Sequence, residues 1–250
     1  MKPAPHWGTS IGESFTIRSA ILREERRINV YVPAAYTGTA RLPVLYMPDG
    51  GIAEDFLHVA GLVQVLSGNG TMRPFLLVGI ENTERRRDLT GPTSNGEDRK
   101  IAPRVGGSAN FRAFLRDELM PEVEKRYRTT SERAIVGESL AGLFVVETLL
   151  TEPALFDTYI AFDPSLWWND EALVTAAPER LRTIPAKTLY VATSDEPGIL
   201  KPAGRFVESL RASKTALHWH YEPMPEEKHS TIYHPAALRA FRSVFAKPAG

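Results

Sequence analysis

The feature that most restricts the fold is a series of short, unbroken apolar runs separated by segments with helical spacing. "VLYM", Val44 to Met47, "FLLVGI", Phe75 to Ile80, and then "AIVG", "YIAF" and "TLYVA" show no alternation of apolar and polar residues. Runs of this kind suit strands buried on both faces. Between them, "EDFLHVAGLVQVL" spaces Phe56, Val59, Leu62, Val63 and Leu66 at threes and fours, as a helix packing on one side does. "ANFRAFLRDELMPEVEKRY", "LAGLFVVETLL", "AGRFVESLRA" and "HPAALRAFRSVF" read as further helices, "NDEALVTAAPERL" as a broken one, and "ALHWHYEPM" as a last strand. Strand–helix alternation at this spacing requires crossover units, hence a mostly parallel sheet with helices on both faces. Ahead of it, "SFTIRSAILREERRINVYVPAAY" reads as an antiparallel edge hairpin with "REERR" marking the turn region. The class is therefore α/β. The 250 residues suit one domain, and the short helices between strands leave no room for a large cap domain.

Thirty basic residues balance thirty acidic ones. A chain with no net charge carries no global field toward nucleic acid or an anionic membrane, so neither is expected as a partner. With no cysteine, disulfides, thiolate metal sites and a cysteine nucleophile are excluded. "MKPAPHWGTSIGESF" has no apolar targeting core, and no apolar run nears the roughly 18 residues that span a bilayer, so the expected location is cytoplasmic, with a processed, secreted mature form as the alternative.

In "RAIVGESLAGLF" a serine stands where a buried strand meets a helix. A sharp turn there lifts the Ser139 hydroxyl above the sheet edge and points the Leu140 N–H at whatever reacts with it. Such a turn crowds its neighbours, and Gly137, Ala141 and Gly142 are small enough for it. This is the nucleophile elbow pattern, G-x-S-x-G, with alanine in the last position. A plain N-capping serine is the competing interpretation of the same pentapeptide.

A serine nucleophile needs a base. His6 lies in the N-terminal tail, His58 in a helix, and His218 and His220 in the last strand. His229, in the loop between the last strand and the last helix, can reach over the top of the sheet, and ranks ahead of His234 at the start of that helix. The acid that orients the histidine should follow the serine in the chain. "TLYVATS" runs into Asp195 and Glu196, which sequence alone barely separates. Asp163, after the preceding strand, is a third candidate. Gly50 and Gly51, after "VLYMP", are placed to supply a second oxyanion donor. The long irregular stretch from Asn82 to Gly107 follows a central strand, where open sheets hold ligands, and is rich in arginine, Arg87 among them. An anionic substrate and a solvated surface both account for that charge.

With these residues in view, the chain resembles the putative esterase family of the α/β-hydrolases, in the branch that includes enterochelin (siderophore) esterase-like proteins and esterase D. The likeness is carried by "VLYMPDGG", "GIENTERRRDLTGPT", "FLRDELMPEVEKRYRT", "IVGESLAGLFVVETLL", "AFDPSLWWND" and "KHSTIYHPAALRAF". The resemblance implies an α/β-hydrolase fold and a serine esterase acting on short-chain or siderophore-like esters without metal or organic cofactor. It implies Ser139 as nucleophile, His229 as base, Glu196 in preference to Asp195 as the acid, and Gly51 and Leu140 as oxyanion donors. Trp167 and Trp168 match a family signature and are expected to wall the substrate pocket. Two positions depart from the family: Glu138 stands where many relatives have histidine, and Ala141 where many have glycine. An acyltransferase using the same triad, and a non-catalytic binding protein on the same scaffold, are the alternatives. Nothing in the sequence fixes the oligomeric state.

Overall fold

The computed structural model describes residues 10–247; the candidate His6 lies outside them. The chain begins with the hairpin β1 (Glu13–Ser19) and β2 (Glu24–Tyr31), then β3 (Leu42–Pro48), α1 (Phe56–Gly68) and β4 (Leu76–Ile80). The arginine-rich stretch holds a short helix, α2 (Arg85–Asp88), and leads to α3 (Ser108–Phe114), which continues through a widened turn into α4 (Met120–Arg126). Then come β5 (Thr129–Glu138), α5 (Leu140–Thr151), β6 (Thr158–Phe162), α6 (Trp168–Arg180), β7 (Thr188–Thr193), α7 (Pro197–Ala212), β8 (His218–Pro223) and α8 (Tyr233–Val244).

The eight strands form one sheet in the order β1-β2-β4-β3-β5-β6-β7-β8. The pairings β1–β2 and β2–β4 are antiparallel, and every pairing from β4 to β8 is parallel. This is the mostly parallel sheet with an antiparallel edge that the apolar runs predict. Both faces are covered, and the strand period of two divides the core. Val44, Tyr46 and Ile135 pack on one face with Phe111, Phe144 and Phe206, while Leu45, Met47 and Val136 pack on the other with Val59, Val63 and Phe241. Each such fully buried side chain contributes about 1.5–3 kcal/mol. Truncating Leu45, which is completely buried, is expected to cost about 2–5 kcal/mol because the close-packed surroundings cannot collapse into the space.

Two local expectations are corrected and a third is sharpened. The "REERR" charge run is not the turn: the turn is Ala20–Arg23, and most of the run is strand β2, where Arg26 is fully buried against Asp88 at 2.5 Å. The helix read as "AGRFVESLRA" begins earlier, at Pro197, a residue pre-shaped for a first turn because it needs no hydrogen-bond acceptor there. The broken helix read in "NDEALVTAAPERL" is present: three consecutive left-handed residues, Asn169, Asp170 and Glu171, make the break, and Pro178 continues the helix. The widened turn Leu115–Leu119 immediately precedes the Met120-Pro121 start of α4 and gives room to a proline ring that would otherwise strike the carbonyl four residues back. Among the described residues, no helix is long and apolar enough to cross a membrane.

Candidate active site

The C-terminal ends of the parallel strands converge on one place. Ser139 links β5 directly to α5 with φ 62° and ψ −119°, a left-handed backbone that a serine holds only under strain. The bend is stitched to the neighbouring strand end: the Ser139 N–H donates to the Phe162 carbonyl at 3.0 Å, and the Ser165 N–H donates to the Ser139 carbonyl at 3.0 Å. The small residues around it are needed for contact. A Cβ on Gly137 would sit 2.7 Å from Ala141, and one on Gly142 would sit 2.9 Å from the Phe162 carbonyl oxygen. Leu140 opens α5, so its N–H belongs to the group at a helix start that has no acceptor within the helix.

The imidazole of His229 lies over this turn. The Ser139 hydroxyl donates to Nε2 at 3.1 Å, and Nδ1–H donates to Asp163 Oδ2 at 3.0 Å. A carboxylate can only accept, so the Asp163 contact fixes the proton on Nδ1 and leaves the Nε2 lone pair facing the serine. Asp163 is fully buried, with φ 41°, one residue past β6. Its carboxylate also accepts from the Ser194 N–H and the Ser194 hydroxyl, both at 2.6 Å. The strand pair β5–β6 therefore sets the serine and the acid together.

The two acids ranked first from sequence are elsewhere. Glu196 is an exposed residue at the start of α7, which begins at Pro197; it makes no hydrogen bond or ion pair with His229 among the described contacts and acts on the ring through its charge alone, as the last of the contributions that raise the His229 pKa. Asp195 pairs with Lys228 and its N–H donates to the Glu227 carbonyl at 3.3 Å. It thus ties down the loop that carries the histidine without touching the ring. This corrects the choice of Glu196, with Asp195 as its alternative, for the position beside Nδ1: Asp163 occupies it. The signal was present in "YIAFDPSLWW", where an acid has apolar residues before it and a proline after it. A carboxylate buried there must find a hydrogen-bonding partner, whereas "SDEPG" reads as a solvated turn.

A second carboxylate approaches the ring. Glu138 Oε1 is 3.4 Å from His229 Nδ1. Burial raises the Glu138 pKa to about 7; the nearby charges of His229 and Arg85 offset the rise and those of Asp163 and Asp49 add to it. The pKa of His229 is raised, first by the hydrogen bond to Asp163 and further by the charge on Glu138. Among the described residues, Glu138, Asp163 and His229 are the one group whose ligand atoms lie close enough together, within 4.8 Å, to hold a cation. A cation on Nδ1 would displace the proton that Asp163 accepts, so metal binding and serine activation exclude each other there.

The loop after β3 flanks the elbow. Asp49, at φ 59°, receives a two-pronged contact from Arg85 at 2.7 and 2.8 Å, and Arg85 also reaches the Glu138 carbonyl at 3.5 Å. Gly50 is a glycine because its backbone passes against Gly79, where a Cβ would sit 2.3 Å from the Gly79 Cα. The Gly51 N–H is engaged by Glu54 Oε2 at 2.6 Å, and Asn82 Nδ2 donates to Glu54 Oε1 at 2.8 Å. A carboxylate therefore sits on the donor assigned from sequence to an oxyanion.

Trp167 is half-buried, whereas Trp168 is buried; its indole N–H donates to the Gly91 carbonyl at 2.9 Å, which fastens the long loop to α6, and its ring lines a cleft of about 240 Å³ with Gly91, Leu143 and Leu173. Arg87 is likewise committed: Glu24 and Asp88 take its guanidinium at 2.7 and 2.6 Å. It forms part of a cleft of about 570 Å³ lined by Glu84, Arg85, Arg86, Arg87, Ala102, Pro103 and Arg104. In that cleft Arg104 pairs with Glu84 and Arg86 donates to the Ile101 carbonyl, so Arg86 is the arginine of the four without a carboxylate partner among the described contacts. His234 is exposed, 3.3 Å from His58.

A family model described as "Putative esterase" matches residues 19–236. The ferri-bacillibactin esterase BesA of Bacillus subtilis is 34% identical over 187 residues, covering 65% of this chain and 63% of that protein. A siderophore triacetylfusarinine C esterase of Aspergillus fumigatus is 32% identical over 158 residues, covering 59% of this chain and 52% of that protein. The matches thus span about half to two thirds of these relatives' lengths. Among solved structures, an IroE-like serine hydrolase from Shewanella oneidensis superposes with a TM-score of 0.85 at 30% identity, over 94% of this chain and 80% of that one.

Proposed function

The chain belongs to the putative esterase family, and from that premise we propose that it hydrolyses carboxylic esters through an acyl-enzyme on Ser139. The observation that carries the reading is the continuous relay from Ser139 through His229 to Asp163, at 3.1 and 3.0 Å. His229 takes the serine proton as the hydroxyl attacks the ester carbonyl. Asp163 holds the imidazole in the required tautomer and stabilises the imidazolium that forms. The proton then passes to the leaving alcohol, and water activated by the same Nε2 releases the acid. The Leu140 and Gly51 N–H groups receive the oxyanion, each worth about 3 kcal/mol in the transition state. For Gly51 this requires the Glu54 carboxylate to give way to substrate.

The relatives named as siderophore esterases support esters of that type as the substrate class. Arg86, in the arginine-lined cleft, is the side chain with charge to offer an anionic substituent, and Trp167 is the tryptophan free to meet an aromatic or acyl group. Asp163 to Trp167 joins β6 directly to α6, which supports a single catalytic domain without a cap at that point.

The test is hydrolysis of p-nitrophenyl butyrate and of a catecholate trilactone by the wild type and by Ser139→Ala. The expected outcome is a loss of several orders of magnitude in kcat on both esters. Retention of wild-type turnover by Ser139→Ala would overturn the reading.

A further inference from the structure

Asp163 already satisfies Nδ1, yet a second carboxylate is buried beside the same nitrogen. Glu138 ends β5 one residue before the strained Ser139, so its backbone is fixed by the elbow itself. Its Oε1 lies 3.4 Å from His229 Nδ1, and its ligand oxygen, that of Asp163 and the ring nitrogen all lie within 4.8 Å of one another. Its side chain is only 16% exposed. The groups that face it are His229 from the loop after β8, Asp163 from the end of β6, and Arg85 and Asp49 from the long loop and the end of β3. Two acids this close in a poorly hydrated place repel each other, and a chain gains nothing in stability by burying the second one unless its charge is used.

We propose that Glu138 is a positioning residue for His229: a second carboxylate that shares the Nδ1 side of the imidazole with Asp163, stabilises the imidazolium, and fixes the tautomer when Asp163 cannot. Asp163 accepts the Nδ1–H at 3.0 Å, whereas Glu138, at 3.4 Å, makes no hydrogen bond to the ring and faces it as a charge. Glu138 acts on the reaction through the ring and does not touch the ester. Ionised Glu138 favours the protonated imidazole, so it moves the acid limb of the pH–rate profile upward while lowering the cost of forming imidazolium in the transition state. This inference rests on the esterase reading above, and the experiment separates the two.

The experiment compares Glu138→Gln, Asp163→Asn and the double variant with the wild type, using kcat/KM for p-nitrophenyl butyrate across pH. Ser139→Ala serves as the reference for serine-independent hydrolysis. Glu138→Gln is expected to lower the acid-limb apparent pKa by about half a unit or more, because a neighbouring negative charge has gone while shape is kept. Asp163→Asn is expected to retain at least ~10-fold more activity than the double variant, because the Glu138 carboxylate 3.4 Å away is left to take up Nδ1–H and to stabilise the imidazolium. An unmoved acid limb in Glu138→Gln overturns the proposal, as do equal rates in Asp163→Asn and the double variant. Should Asp163→Asn fail to fold, the pH profile of Glu138→Gln decides alone. A wild type no faster than Ser139→Ala would refute the esterase reading itself, whereas an active wild type with an unaltered Glu138→Gln profile would refute this inference only.

Discussion

Two adjacent strands, β6 and β7, both end in acids at the same edge of the sheet, and they put those acids to opposite uses. After β6, Asp163 is fully buried, takes three hydrogen bonds, and holds an imidazole. After β7, Asp195 pairs with Lys228 at the rim, and Glu196 faces solvent at the head of α7. Distance from the histidine in sequence does not explain the difference, since the β7 acids are nearer to His229 along the chain. The difference lies in the course of the chain beyond each strand. Asp163 is held to the end of β7 by its N–H on the Ala192 carbonyl and by Ser194 on its carboxylate, whereas Glu196 precedes the Pro197 start of α7 and is exposed. The neighbour that makes an acid useful is the one that denies it water.

The contrast can be broken most directly by substitution at both strand ends. Asp163→Asn is expected to lower kcat by roughly 10²–10⁴ with little change in KM, since it removes the group that sets the tautomer but not the substrate contacts. The upper part of that range applies if Glu138 gives no help. Steady-state kinetics of Glu196→Gln should fall within about twofold of the wild type, because the charge of this exposed carboxylate is the last of the contributions that raise the His229 pKa. A larger loss in Glu196→Gln than in Asp163→Asn would reverse the assignment of the acid.

The pH dependence sharpens the same point. The hydrogen bond that His229 donates to Asp163 and the charge of Glu138 raise the pKa of His229 above its ordinary value of 6.5, and on the esterase reading the neutral ring is the base. The acid limb of kcat/KM is therefore expected above pH 6.5, and Asp163→Asn should move it downward. Stability responds as well. Glu138 has a folded pKa of about 7 against 4.5 when unfolded, so the native state binds more protons between those values and loses stability as pH rises through them. His229, with its folded pKa raised, contributes stability that is fully present below 6.5 and is lost as pH rises through its folded pKa. Replacing Glu138 with glutamine removes the first of these losses. Thermal denaturation should show Glu138→Gln more stable than the wild type at pH 8, by up to about 3 kcal/mol, with the advantage shrinking toward pH 4.5. The smallest effect belongs to the rim: Asp195→Asn gives up an exposed ion pair worth about 0–1 kcal/mol. It should change kcat only as far as the loop bearing His229 loosens, which kinetics at low and high salt would register.

The sequence made the scaffold readable because burial on both faces leaves no polar residues in a strand, and the runs from Val44 to Ala192 carry that signature. The elbow was readable for a related reason: Gly137 and Gly142 are small because backbone and side chains pass within about 3 Å of them, a demand few other turns impose. His229 could be placed because one loop comes after the last strand. The carboxylate beside Nδ1 could not be picked out, since a proline at a first helical position, as at the start of α7, reads in sequence as readily as part of a turn. The arginine stretch failed for a comparable reason. Its charges looked available, but Glu24, from the edge hairpin, takes up Arg87, a partner more than sixty residues away that no local pattern announces. Glu54 at the Gly51 N–H was equally hidden, because a carboxylate three residues past a glycine turn reads as the start of a helix.

The central claim is that His229 makes the Ser139 hydroxyl nucleophilic. The most direct test is reaction with a fluorophosphonate, then peptide mass spectrometry of the wild type and of His229→Ala. The account predicts a single stoichiometric adduct on Ser139 in the wild type and at least ~10²-fold slower labelling of His229→Ala. An adduct on another residue, or equal labelling rates in the two proteins, would contradict it.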